Sequence, residues 1–369
     1  MAVFGTKGKV FGLKGEKYLL LSQILLILCR RIKIRDAQKE LPRPFIQELN
    51  VKMNTMKRLR MVFLSVGFVG MSITAQRFEP IKYGDFNNWL TRNIKESTLL
   101  GGNTKKIYEI CPTGTDNSGN AYVNRGGSPW ATSNVLAKPA GVAKASNAVF
   151  PENREGHGKC ARLVCQYDNC KAIGIVNIEV IVGGTIYLGE MIEPVKSTNN
   201  PYSKMNMGMP FTKQPKALRF DYKFYMPNSN QRIYSSGFGS KKTLAGADSG
   251  ETVVLLQKRW EDKDGNLFAH RVGTGREFYK KSTNGWINNH DLKIVYGSAG
   301  SSLKGLVPAS KSYYAKNSKG KMVPVKEVGW APAGTAPTHA IVMFSAAGGE
   351  PYTGTPGLTL WIDNVGWVY

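Results

Sequence analysis

The sequence predicts a mainly β protein, an antiparallel sandwich with little helix, on three observations. Short runs rich in β-branched and aromatic residues recur: "AIGIVNIEVIVGGTIYLGEMI", "KALRFDYKFYM", "ETVVLLQKRW", "NLFAHRVG", "HDLKIVYG", "HAIVMFSAA" and "GLTLWIDNVGWVY". Such residues suit a pleated, half-buried surface. Clusters of Gly, Pro, Asn and Asp separate the runs, and these are the residues that reverse a chain. Helical periodicity is confined to one place, where Phe86, Trp89, Leu90 and Ile94 follow a candidate cap at Asp85. Many short strands with almost no helix make a sandwich the expected architecture.

From the N-terminal side, the first element is an address label. "MKRLRMVFLSVGFVGMSITAQ" begins at Met56 with Lys57, Arg58 and Arg60, continues through an apolar run to Ile73, and offers a cut between Ala75 and Gln76. That order is a secretory signal, and Gly67 and Gly70 inside the run argue against a buried core element. Residues 1–55 are then expected to be an over-extended start, with residues 56–75 the signal peptide. The apolar run from Tyr18 to Cys29 is too short to span a bilayer. The mature chain is expected to be residues 76–369, exported to the periplasm or cell surface, without a transmembrane span. Its length is enough to bury a substantial core.

Charge narrows the partners. The formal net charge is +24, and residues 76–369 keep 36 Lys and Arg against 22 Asp and Glu. The basic residues are scattered singly or in pairs such as Lys241 and Lys242, without the dense stripe of a nucleic-acid binder. Export points the same way, so the expected partner is a polysaccharide and not nucleic acid. Residues 76–369 contain Cys111, Cys160, Cys165 and Cys170, which permit three disulfide pairings that the sequence does not choose between. "KCARLVCQ" has the pattern of a strand, which aims Cys160 and Cys165 at opposite faces. Packing or disulfide use is therefore expected in place of a zinc site with His157.

Two strand patterns set the candidate faces. Around Asp262 to Asn266, "VVLLQKRWEDKDGNLFAHRV" forms a hairpin, with Gly265 supplying the reversal. Its first arm puts Val254, Leu256 and Trp260 on one face and Val253, Leu255, Gln257 and Arg259 on the other. In "RFDYKFY", Phe220, Tyr222 and Phe224 are apolar while Arg219, Asp221, Lys223 and Tyr225 face the opposite way.

The combination of "FNNWLTRNIKES", "GGSPWATSN", "GGTIYLGEMIEP", "GMPFTKQPKALRFDYKF", "LLQKRWEDKDGN", "VGWAPAGTAPTH" and "LTLWIDNVGWVY" resembles the putative carbohydrate metabolism domain family of Bacteroidetes along essentially all of residues 76–369. The resemblance implies a jelly-roll fold, export and a carbohydrate substrate class. It does not imply a reaction. The lysine-rich segment between Arg276 and Lys321 departs from the family and is expected to be solvated loop.

No His-Glu-x-x-His, Gly-x-Ser-x-Gly or phosphate-cradling motif is present, so catalysis would rest on carboxylates. If the strands share one sheet, Asn177, Glu179, Asp221, Lys223, Gln257 and Arg259 line one polar face. Glu179 and Asp221 would then be the catalytic pair of a glycoside hydrolase. Lys223, Tyr225, Gln257 and Arg259 would contact glycan through stacking and planar hydrogen bonding. Trp130 and Trp286 sit among loop-forming residues and are further glycan-binding candidates, whereas Trp260, Trp361 and Trp367 are expected in the core. Glu79 and Asp363 are candidate ligands of a structural calcium, because "WIDNV" resembles the closing strand of sugar-binding jelly rolls. The expected function is carbohydrate binding or processing. A glycoside hydrolase is the first alternative, and a non-catalytic adhesion or structural surface protein the second.

Overall fold

The computed structural model describes residues 76–369 apart from Ile173, Phe238 and Ser240. The expected signal peptide and the expected over-extended start, residues 1–75, lie outside the described residues. The described chain is mainly β, and its only helical elements are short 3-10 turns.

Two large sheets organise it. A seven-stranded sheet runs in the order Val176–Gly183, Gly158–Ala172, Thr359–Val368, Ala217–Tyr225 and Ile287–Lys293, with Phe78–Pro80 beside the third and Val149–Arg154 beside the second. Every pairing in it is antiparallel. A ten-stranded sheet contains the expected hairpin of Gly250–Glu261 and Leu267–Tyr279, with Glu261 opposite Leu267. Gly265 at φ 85° makes the reversal, and the Asp262 carboxylate accepts the backbone N–H groups of Asp264 and Asn266. Thr185–Met191 pairs with His339–Ser345, which closes part of this sheet into a ring. Two of its pairings are parallel, Leu267–Tyr279 with Met322–Trp330 and Asn206 with Tyr314.

The main core lies between the sheets. Leu163, Leu218, Phe220, Phe224, Leu360 and Ile362 meet Val254, Leu256, Val342 and Phe344. Phe220 and Phe344 touch edge to face at 5.0 Å across the interface. A second cluster, including Tyr187, Met207, Val253, Leu255, Ile341 and Met343, lies on the other face of the ten-stranded sheet. Gly250–Glu261 is thus buried on both faces, which is why its "VVLL" run lacks a polar alternate. Beyond Gln257 the cover ends. Trp260, expected in the core, is 41% exposed and stacks on Phe268.

The expected helix near the start is a strand. Trp89–Lys95 pairs with Thr104–Ile110. Its second buried face is carried by Arg92 with Ile94, and Arg92 is bonded to Glu109 and Glu193 at 2.7 Å each. A buried arginine reads as polar in sequence, so the two-residue alternation was masked and a helical spacing of apolar residues showed instead. All four described cysteines are buried free thiols, so packing and not disulfide formation accounts for them. Cys165 joins the main core, while the Cys160 thiol donates to the Glu152 carbonyl on the opposite face, as strand alternation predicts.

Candidate functional site

The face of the seven-stranded sheet turned away from the core gathers the chemistry. Alternation along Ala217–Tyr225 sends Phe220 and Phe224 inward and Asp221 and Lys223 outward. Across the ladder Asp221 stands opposite Asp363, and Lys223 opposite Trp361. A register shift follows, because Arg219 pairs with Gly366, and Asn364 takes a left-handed φ of 52°. Such a bulge re-aims a side chain. Here it turns the Asn364 amide so that Nδ2 donates to Asp221 Oδ2 at 2.8 Å.

Arg154 joins the two carboxylates. Its Nη1 donates to Asp221 Oδ2 at 2.8 Å and to Asp363 Oδ2 at 2.6 Å, and its Nη2 to Asn288 Oδ1 at 2.9 Å. The guanidinium also lies over the Trp286 ring at 4.0 Å. Asp221 receives a further bond from the Asn289 backbone N–H at 2.7 Å. Burial alone would raise the Asp221 pKa, but Asn289, Asn364 and Arg154 outweigh it and hold the carboxyl below its usual range. For Asp363 burial wins over Arg154 and the Asn364 N–H, and the pKa is raised. Asp221 is 5% and Asp363 1% exposed, so neither opens to solvent.

Above this buried knot lies an aromatic and cationic strip. The Lys223 ammonium sits 4.0 Å from the Trp361 ring centre and 5.7 Å from that of Trp286. Trp361 Nε1 donates to Glu152 at 2.8 Å, and Arg162 Nε pairs with the other oxygen of Glu152 at 2.8 Å while its guanidinium covers Phe150. Tyr225 continues the strip as an exposed ring.

Four of the sequence candidates, Asp221, Lys223, Trp286 and Asp363, therefore meet on one face, with Tyr225 beside them. The others do not join them. Glu179 lies on the edge strand, three strands from Asp221, and opposite Asn169. Ala161 of the intervening strand stands beside Ile362, so Asp363 and Asp221 align with position 160, and the two carboxylates are separated by roughly 14 Å across the sheet and roughly 30 Å along it. Glu179 is held by Lys171 at 3.0 Å and Lys241 at 2.6 Å, and its pKa is lowered by them. The expected catalytic pair is not assembled.

Gln257 and Arg259 belong to the ten-stranded sheet. Gln257 Nε2 donates to Glu327 at 2.6 Å, and Arg259 Nε to Gln257 Oε1 at 2.8 Å, so both serve a network with Arg271. Trp130 is 2% exposed in the core, with Nε1 donating to the Lys82 carbonyl; it starts a short strand and is no surface ring. Glu79 stands opposite Trp367, is bonded by Lys213 at 2.6 Å, and shares no site with Asp363, which Arg154 occupies. Among the described residues no three His, Cys, Asp or Glu side chains converge as a metal site.

Sequence inspection missed Arg154, Asn364 and the surface role of Trp361. Parity with Asp363 in "LWIDN" was the available signal for Trp361. Arg154 offered none, because the partners it binds lie 67 and 209 residues away.

The profile of one protein family, described as a putative carbohydrate metabolism domain, matches residues 96–284. Among solved structures, the chain is similar to a putative glycoside hydrolase from Bacteroides thetaiotaomicron, at 18% identity and TM-score 0.40 over 76% of this chain and 70% of that one. It is also similar to a putative glycoside hydrolase from Bacteroides vulgatus, at 12% identity and TM-score 0.38 over 79% of this chain and 94% of that one. No curated protein matches the chain.

Proposed function

The chain belongs to the putative carbohydrate metabolism domain family, and from that premise we propose that it is an exported protein that binds a polysaccharide along the outer face of its seven-stranded sheet. One observation carries this reading: the Lys223 ammonium stands between the half-buried rings of Trp286 and Trp361 on a face turned away from the core. Indole rings offer apolar surface to the C–H faces of a sugar, and the ammonium and the flanking Arg162 supply donors to its hydroxyl or carboxylate oxygens. Export rests on the signal-like order of residues 56–75. The packing of two sheets through one core supports the jelly-roll interpretation of the fold.

Binding is favoured over cleavage because glycoside hydrolysis needs two carboxyl groups with the sugar between them. Of the carboxylates on this face, Glu152 is held by Arg162 and Trp361, and Asp221 and Asp363 are both buried on a single guanidinium nitrogen. Their role is to set the height and orientation of Arg154, and through it Trp286.

A glycan array followed by titration of each hit tests the proposal. Trp286→Ala and Lys223→Gln should each weaken a hit about tenfold, equivalent to about 1.4 kcal/mol. Acidic hits should weaken further as salt rises. Unchanged affinity in both variants would refute the sheet-face site. Release of reducing ends by the wild type would favour the hydrolase alternative.

A further inference from the structure

A cavity of about 600 Å³ lies away from the aromatic strip, where the closed ring of the ten-stranded sheet meets the segments around Lys304 to Pro308 and Ala347 to Thr353. Part of its lining continues the second apolar cluster: Met205, Val307, Tyr313 and Met343 belong to both. Tyr202 and Tyr313 stand edge to face at 5.3 Å within that wall. The lining also carries six charged side chains, Arg232, Glu251, Arg276, Lys304, Lys311 and Glu350.

Those charges do not cancel. Glu251 is bound by Arg276 Nε at 2.6 Å, and Glu350 by Lys311 Nζ at 2.5 Å. The remaining cations are Arg232 and Lys304. Among the described residues, the Lys304 ammonium forms no ion pair and donates to no acceptor, and Arg232 Nε is buried without a hydrogen-bond partner. Lys304 lies within the fields of Glu251, Arg276, Arg271 and Glu327, and burial lowers its pKa. Lys304 is half-buried, so an acceptor brought to the cavity meets an ammonium that no protein group already takes. The loop that carries it is fixed from below, because the Val307 N–H donates to Glu327 Oε2 at 2.8 Å, and Glu327 is itself gripped by Arg271. Lys304 is thus held at the cavity by a buried ion pair, although it comes from the lysine-rich stretch whose composition suggested only solvated loop.

We propose that this cavity binds one acidic sugar residue, a hexuronate, with its carboxylate on Lys304 and the apolar face of its ring against Tyr202. The volume suits a small-molecule ligand. A lining that combines aromatic and apolar side chains with two cations outside any ion pair suits a uronate, which has an apolar C–H face and a single charged edge. The inference rests on the carbohydrate reading of the chain and extends it to a second site with a defined ligand class.

Calorimetric titration of the full chain with D-galacturonate and D-glucuronate tests it, with D-galactose, D-glucose and sodium sulfate as comparison probes. At least one uronate should bind, its neutral counterpart at least tenfold more weakly, and sulfate more weakly than the uronate. Lys304→Gln and Tyr202→Ala should each weaken uronate binding at least tenfold, while Lys105→Gln, at an exposed lysine that lines neither site, leaves it unchanged. Sulfate binding as tight as uronate would overturn the sugar assignment. Equal binding of neutral sugars, or unchanged binding in Lys304→Gln, would overturn the acidic-site assignment. Polysaccharide binding that depends on Trp286, without any uronate binding, would overturn this inference alone and leave the sheet-face proposal standing. Failure of every saccharide at both sites would overturn both.

Discussion

Arg154→Met removes the cation from the Asp221 and Asp363 knot while keeping a side chain of similar length against Trp286. Breaking a buried ion pair by deleting one partner costs about 3–5 kcal/mol, because the other charge stays buried without compensation. Arg154 serves two carboxylates that are 5% and 1% exposed, so about 4 kcal/mol is expected here. For a chain of this size each kcal/mol lowers Tm by about 2–4 °C, which predicts a fall of about 10 °C.

The fall should depend on pH with a definite sign. The folded Asp363 pKa is raised by burial, so its contribution is full below the unfolded pKa and is lost as pH rises through the folded one. Removing Arg154 takes away the main opposing pull and raises it further. The Asp221 pKa is lowered in the fold, so its contribution is present above the unfolded pKa and lost as pH falls, and the variant forfeits much of it. Both effects make the deficit largest at about pH 8 and smaller at about pH 5. Thermal melts of wild type and variant at the two pH values decide the matter. An equal fall at both, or a loss under about 1 kcal/mol as for an exposed pair, would refute the buried-knot assignment.

Burial lifts the Glu109 carboxyl to about 8 against the pull of Arg92. Its stabilising contribution is therefore full below the ordinary glutamate value and lost as pH rises through about 8, and Glu109→Gln should flatten the decline of Tm between about pH 5 and pH 8. A decline of wild-type steepness in the variant would sink the assignment. Burial also pushes the Cys160 thiol up to about 12, and all four described cysteines are buried thiols, so iodoacetamide should label them only after unfolding. Mass spectrometry of the unreduced protein finding a disulfide among them would contradict the packing.

Local pattern was legible wherever the physics was local. The two-residue period of a strand was enough to separate Phe220 and Phe224 from Asp221 and Lys223, and to send Cys160 and Cys165 to opposite faces. The Asp-Gly pair was enough to locate the hairpin reversal. Alternation determines which side of its own strand a residue takes, but not which strand lies alongside. For that reason Glu179 and Gln257 were grouped with Asp221, although one lies on a distant edge and the other in a different sheet.

The sequence by itself determined a mainly β chain of the carbohydrate-related family and the parity of the residues that face away from its core. Tertiary structure alone decided that Arg154 would bridge Asp221 and Asp363, that Trp130 would be core and Trp361 surface, and that Thr185–Met191 would close a ring with His339–Ser345. Each of these depends on contacts between segments far apart in the chain. The free energy that selects them comes from burial and charge compensation across those contacts, and no short window of sequence contains both partners.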